Sequence, residues 1–342
     1  MKKLFWLILA LGLGACASPS LQTAVVNIPT KTPLPADTPT QIPTVGDTAT
    51  LTLAPTLTPT LTETPTPTST LTPSPESLVA VVLAAGDIAN CNSYGDGATA
   101  TLIENLPGSV LTLGDNAYLD GTAQQFADCY APTWGKFKDR TYPAPGNHDY
   151  NTPGAAGYFN YFGAVAGDPV QGYYSFDLGA WHLIALNSNC TAIGGCAAGS
   201  PQEQWLRADL AAHPTACTLA YWHHPLFNAG LHGDDDRTRA LWQALYDADA
   251  DLILTGHDHN YQRFAPLDPS GQPDSSRGLR QFVVGTGGSS LYPVFPGNPN
   301  LESYAVSTFG VLRLGLRSNG YDWNFISEAG KPFTDLGSGS CH

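Results

Sequence analysis

Basic residues are scarce in this chain. Lysine and arginine number 15 against 29 aspartates and glutamates, a formal net charge of −14 at pH 7. Proteins that grip a nucleic-acid backbone do so through clustered cations, so this balance argues against a nucleic-acid partner. It leaves room for a small phosphorylated substrate, because a bound metal dominates its local field. Long apolar runs are missing as well. Leu4 to Gly14 is apolar over 11 residues, too short to cross a bilayer as a helix. None of the seven cysteines forms a CxxC pair, so the spacing of a zinc knuckle is absent. Residues 29–75 carry no aromatic side chain and cannot bury enough surface to offset backbone entropy. Their repeated Thr-Pro units favour extended polyproline II, which makes this stretch a semi-rigid stalk.

What is present begins with an export signature. Met1 to Lys3 is basic, the apolar run follows, and it closes in Leu13-Gly14-Ala15-Cys16. The short run fits the h-region of a secretory signal. Its end resembles the lipobox of bacterial lipoproteins, which implies cleavage before Cys16 and a lipid on its sulfur. The competing reading is an ordinary signal with a chance cysteine. The expected organisation is a signal peptide at 1–15, a disordered Thr/Pro-rich linker at 16–77 and a catalytic domain at 78–342. The expected location is extracytoplasmic, with the membrane engaged only through the lipid anchor on Cys16. Six further cysteines are an even number, which in an exported domain reads as disulfides. Cys190 and Cys196 bracket the tight loop "TAIGG" and are expected to pair. Cys91–Cys129 and Cys217–Cys341 are then left by elimination, and four cysteines do not make that pairing unique.

Within the domain, "SLVAVVLAAGD", "GSVLTLGD", "ACTLAYWHH" and "ADLILTGHDH" are uniformly apolar runs that end in loop chemistry. That pattern suits strands covered on both faces. "SPQEQWLRADLAAH" predicts a helix, with Ser200 as N-cap, Pro201 at the first position and Glu203 completing a capping box. "DRTRALWQALYDA" predicts a second. "GYYSFDLGAWHLIALNS" predicts a hairpin turning at Gly179-Ala180, and the last strand pair is expected to turn at Asn319-Gly320. Strands alternate with helices and then accumulate, so the expected class is α/β with a mixed sheet or two.

The chemistry sits where those strands end. Gly86-Asp87 and Gly114-Asp115 each close an apolar run. Gly146-Asn147-His148-Asp149 follows "RTYPAP", His223-His224 closes "CTLAYW", and Gly256-His257-Asp258-His259 closes "DLILT". Ligands of open α/β sheets bind outside the carboxyl ends of strands. A lone Gly-Asp is usually a turn, and a lone strand-end histidine is usually structural. Five such ends, with Tyr118 three residues past Asp115, offer more ligands than a four-coordinate zinc site needs. Mixed nitrogen and oxygen donors without thiolate suit iron, zinc or manganese, and a carboxylate such as Asp115 can bridge two ions.

Together these motifs resemble the metallophosphoesterase superfamily, and Gly-Asp-x-x-Tyr at 114–118 resembles its purple acid phosphatase branch. The resemblance implies a calcineurin-like four-layer α/β/β/α sandwich with two mixed β-sheets. It implies a dinuclear centre of Fe(III) plus a divalent ion (Fe, Zn or Mn). Asp87, Tyr118 and His259 would hold the first ion, Asn147, His223 and His257 the second, and Asp115 both. His148 and His232 would be the catalytic contacts to substrate, and His224 a neighbour of the ligands or plain packing. The activity implied is acid phosphatase chemistry on small phosphate monoesters, by attack of metal-bound hydroxide on phosphorus. A phosphodiesterase or nucleotide pyrophosphatase uses the same core, with the loops Asn151–Asp168 and Ser289–Ser303 shaping the pocket. A non-catalytic surface module that retains metals is the reading from outside enzymology. His182, His213 and His342 lie in no motif and are expected to be structural.

Overall fold

The computed structural model describes Ser77–His342; the expected signal, Cys16 and most of the Thr/Pro stalk lie outside the described residues. Two mixed sheets form the centre. The first has six strands: β1 (Ala80–Ala85), β2 (Ser109–Leu113), β3 (Thr141–Ala144), β11 (Gly310–Leu316), β12 (Gly320–Ser327) and β13 (Thr334–Ser340). Their order is β13-β12-β11-β1-β2-β3; β1, β2 and β3 are parallel, and the other pairings are antiparallel. The second sheet has seven strands: β4 (Tyr174–Leu178), β5 (Trp181–Ala185), β6 (Cys217–Tyr221), β7 (Leu252–Thr255), β8 (Tyr261–Phe264), β9 (Arg280–Val284) and β10 (Leu301–Ala305). Their order is β10-β8-β9-β7-β6-β5-β4, with β5, β6, β7 and β9 parallel.

Why the runs are apolar throughout follows from the two-residue period of a strand. In β6, Leu219 and Tyr221 join the core shared with Val82, Leu111 and Leu314 of the first sheet. Ala220 and Trp222 face the other way, into a second core with Leu206, Leu210, Leu241, Trp242 and Leu245. Strand β7 splits likewise, Leu252 and Leu254 inward and Ile253 outward. The second core belongs to helices α4 (Pro201–Ala212) and α5 (Arg239–Asp247). On the far side of the first sheet, α1 (Gly95–Glu104) contributes Ala100 and Ile103 to the first core. Helix, sheet, sheet and helix make the four expected layers. Among the described residues the other α-helices are the single turn α2 (Ala123–Gln125), which runs into a π turn at Phe126–Tyr130, and α3 (Ala156–Phe162).

Two local expectations change. The β11–β12 hairpin closes with Arg317 N–H donating to Gly320 C=O, so Ser318-Asn319 form the loop. Gly320 already belongs to β12, paired with Ser340, because the register is set by β13 on its other side. Ser200 caps α4 by accepting from the Glu203 N–H, but the Glu203 carboxylate accepts from Gly199 N–H at 2.9 Å and from Arg207. The reciprocal half of the capping box is therefore absent, since an arginine one turn on competes for that carboxylate. Cys190–Cys196 form the expected disulfide, and Cys91–Cys129 and Cys217–Cys341 form the other two. No described helix is long and apolar enough to cross a membrane.

Candidate metal centre

The carboxyl ends of β1, β2 and β3 meet those of β6 and β7 at the rim between the sheets. Asp87 follows β1, Asp115 and Tyr118 follow β2, Asn147 and His148 follow β3, His223 follows β6, and His257 and His259 follow β7. Asp87, Asp115 and His257 stand at φ of 60°, 52° and 72°. Each is a conformation that costs a non-glycine residue about 1–3 kcal/mol and survives where the surroundings over-determine it. The glycines of the motifs have a matching reason. A Cβ on Gly146 would lie 2.1 Å from Asp115 Oδ1, so one motif closes against the ligand of another. Asp115 Oδ1 also accepts from His148 N–H at 2.8 Å, and Asp87 Oδ2 accepts from His257 N–H at 2.8 Å.

The side chains sort into two groups that share one carboxylate. In the first, Tyr118 Oη lies 2.8 Å from Asp87 Oδ1, 3.0 Å from His259 Nε2 and 3.0 Å from Asp115 Oδ2. In the second, His223 Nε2 lies 3.1 Å from Asn147 Oδ1, 3.3 Å from His257 Nδ1 and 3.3 Å from Asp115 Oδ2. The two candidate catalytic histidines stand at the mouth. His148 Nε2 is 3.8 Å from Asp115 Oδ2, and its Nδ1 bonds the Leu119 carbonyl at 2.6 Å. The His232 ring centroid is 4.3 Å from that of His257. His224 is buried, bonded through Nδ1 to Ser188 Oγ at 2.7 Å. Its ring lies 4.4 Å from that of His257, beside the candidate ligands.

Whether these residues fit metal ions is testable on their own chemistry. His223 Nδ1 faces the Leu113 carbonyl at 2.8 Å, which only accepts, so that nitrogen carries a proton. In the neutral ring Nε2 is then a lone pair, and it is aimed at an amide oxygen, a carboxylate and another imidazole. Tyr118 has a single phenolic proton for two carboxylate oxygens. Lone pairs that face one another call for positive charge between them, and a cation in each group supplies it. The electrostatics agree. Burial pushes Asp115 and Asp87 up, yet the imidazoles of His223 beside Asp115 and of His259 beside Asp87 outweigh it and hold both low. Burial acts to lower His223, but Asp115 and then Asp87 push it up to about 9, so without an ion the ring itself takes up the positive charge that these carboxylates call for. Burial, reinforced by Asp115 and Asp87, lifts the Tyr118 phenol well above its ordinary value, so a phenolate there requires a cation as partner. The residues fit a two-ion centre.

Several contributors are silent in the motifs. Ser290 Oγ holds His259 Nδ1 at 2.6 Å, and Tyr292 stacks on the His259 ring at 4.0 Å; both come from the loop that starts at Ser289. Asn151, from the other expected loop, donates to the Leu119 carbonyl. Buried Asp149 accepts from Gly146 N–H and Asn116 Nδ2, each at 2.9 Å, tying the β2 and β3 loops together. Its burial, with Asp115 nearby, pushes it up to about 6. Asp149 stands inside the Gly146-Asn147-His148-Asp149 motif, and nothing in the sequence marks it as the tie between the two loops. His182, His213 and His342 lie away from the centre, each beside a carboxylate.

A family model described as calcineurin-like phosphoesterase matches residues 75–261, more than half of the 342 residues. Among curated proteins, the chain is similar to purple acid phosphatase 21 of Arabidopsis thaliana, 31% identical over 157 residues, 42% of this chain and 33% of that protein. Purple acid phosphatase 15 of the same plant is 26% identical over 230 residues, 55% of this chain and 41% of that protein. The matches thus cover less than half of those relatives. Among solved structures, the purple acid phosphatase PPD1 of yellow lupin gives a TM-score of 0.62 at 16% identity, over 78% of this chain and 54% of that one. GAP50, described as the anchor in the inner membrane complex of Plasmodium, gives 0.57 at 14% identity, over 77% of this chain and 89% of that one. At such identities the likeness is one of fold. The two mixed sheets match the calcineurin-like arrangement, and the family implies a dinuclear centre of the kind the Asp and His groups suit. The chain belongs to the calcineurin-like phosphoesterase family, with purple acid phosphatases among its relatives.

Proposed function

We propose that the domain hydrolyses phosphate monoesters at a purple acid phosphatase-type centre of one ferric and one divalent ion. The observation that carries this reading is Asp115 Oδ2, 3.0 Å from Tyr118 Oη and 3.3 Å from His223 Nε2, one carboxylate common to a tyrosine-containing group and an all-imidazole-and-amide group. A hard, highly charged cation stabilises phenolate, so Tyr118 favours ferric iron in its group. Bound there, two ions would supply an activated water and neutralise the phosphate oxygens.

The chain's own residues do the rest. Asp87, Tyr118 and His259 hold one side and Asn147, His223 and His257 the other, while the packed strand ends keep the groups at fixed spacing. His148 and His232 face a bound phosphate from the mouth, where a ring N–H donates to its oxygens or passes a proton to the leaving alkoxide. Leu119, whose carbonyl bonds His148 Nδ1, and Leu231, next to His232 in sequence, are 59% and 54% exposed and offer apolar contact to the leaving group. The substrates are small phosphorylated molecules. The fold alone does not decide activity, and the complete donor set is what supports an enzyme here.

Metal analysis with a visible spectrum, beside assays on p-nitrophenyl phosphate and its bis-ester, tests this. Expected are two ions per chain, a phenolate-to-iron band and faster turnover of the monoester. Preference for the bis-ester would make it a diesterase, and two bound metals without turnover of either would make it a binding module. The same reading places the protein on the cell surface, lipid-anchored through Cys16, which three disulfides in the domain support by requiring an oxidising compartment. Replacing Cys16 with serine should release it from the membrane fraction.

A further inference from the structure

The segment after β7 has two faces. His257 and His259 point at the candidate centre, whereas Asp258, Asn260 and Gln262, each wholly buried, point at the loop 228–233 that carries His232. Gln262 Oε1 accepts from Ala229 N–H at 2.8 Å, and its Nε2 donates to Asn228 Oδ1 at 2.7 Å and to Asn260 Oδ1 at 2.8 Å. Asp258 is the hub. It accepts from Asn228 Nδ2, from Leu231 N–H at 3.1 Å, from His232 N–H at 3.2 Å and from His232 Nδ1 at 3.2 Å. The loop lies so close that a Cβ on Gly230 would meet Asp258 Oδ2 at 2.4 Å and its Cγ at 2.5 Å. A surface histidine, 41% exposed in its side chain, is thus fastened from below by a buried carboxylate.

We propose that Asp258 is a positioning residue for His232: it holds the proton on Nδ1 and turns Nε2 toward the leaving group of a bound ester. A carboxylate has no proton to give here, so the bond runs one way, from Nδ1–H to Oδ1, and fixes both tautomer and ring orientation. His148 is held differently, by a backbone carbonyl. When His232 is the imidazolium, the leaving alkoxide takes the Nε2 proton, and the ring returns to the neutral form with its Nδ1–H still donated to Asp258 Oδ1. Good leaving groups need that proton little, and poor ones need it much.

This inference rests on the phosphatase reading, and its test has a part that does not. In zinc-loaded, ¹⁵N-histidine-labelled protein, His232 should show a protonated Nδ1, and Asp258→Asn should shift that signal. Gly230→Ala, whose methyl would press on the Asp258 carboxylate from the His232 loop while every proposed ligand keeps its identity, should do the same with zinc content unchanged. Both variants should lose about 10–100-fold in kcat on an alkyl phosphate, with far smaller losses on p-nitrophenyl phosphate. A bare Nδ1 at His232 in the wild type, or equal losses on both esters, overturns the proposal. A wild type that turns over neither ester while His232 keeps its Nδ1 proton sinks the phosphatase reading and leaves the positioning of His232 standing.

Discussion

Asp115 touches both halves of the centre, so its loss is unlike the loss of any other single donor. Oδ2 faces Tyr118 and His223 while Oδ1 is fixed by the His148 N–H. Asp115→Ala should empty both positions and reduce hydrolysis by more than the roughly 10–100-fold typical of removing an outer hydrogen-bond partner. Ser290→Ala, which removes only the partner of His259 Nδ1, should stay within that range and keep both metals. Parallel metal analysis and kinetics check the pair; full activity with bound metal in Asp115→Ala would end the bridging role. Tyr118→Phe should remove the visible band, and an unchanged spectrum would return that ring to simple packing. Asp115 and Tyr118 were legible because they lie in the motif that closes an apolar strand, whereas Ser290 lies in no motif. Asp258 was not, because its partner loop lies 26 residues away and only the folded chain brings them together.

At the scale of elements, the contact of β5 with α4 is held by a charged histidine. His182 is buried, with Nδ1 2.7 Å from Asp177 Oδ1 on β4 and Nε2 2.9 Å from Asp209 Oδ2 on α4. The His213 ring stacks on it at 4.4 Å. Both ring nitrogens face carboxylates, which only a protonated ring satisfies. Burial acts to lower His182, but Asp209 and Asp177 raise it above its ordinary 6.5, and Asp209 is correspondingly held low. The folded state therefore binds this proton more tightly than the unfolded one. Its contribution to stability is complete below about pH 6.5 and is lost as pH rises through the folded value. The gap in urea midpoint between wild type and His182→Gln should shrink steadily above neutrality; a gap that widens would show a neutral ring. The helices and the β4–β5 hairpin were readable from period and turn chemistry. The role of His182 was not, because it depends on which strand lies beside which helix.

For the molecule as a whole, the two sheets are joined covalently as well as by their shared core. Cys217 starts β6 in the second sheet, and Cys341 follows β13 in the first, with a sequence separation of 124. Trp181 Nε1, at the start of β5, donates to the Arg317 carbonyl beyond β11, a second tie at the same end. The layer order could be anticipated from the motifs, but strand order could not, since β11 beside β1 is a pairing across more than two hundred residues. The disulfides have graded consequences. Closing a loop removes freedom from the unfolded chain, by about 4–5 kcal/mol for a loop of a hundred residues and roughly 2 kcal/mol for one of six or seven. Cys190–Cys196, with a separation of 6, lies at the short end. Replacing Cys217 and Cys341 with alanine should therefore lower unfolding free energy about 2 kcal/mol further than replacing Cys190 and Cys196. Denaturant curves on the two double variants, metal-loaded alike, measure that difference. Equal losses would mean that the long loop is already restrained in the unfolded chain, and that the sheets owe their union to the core between them.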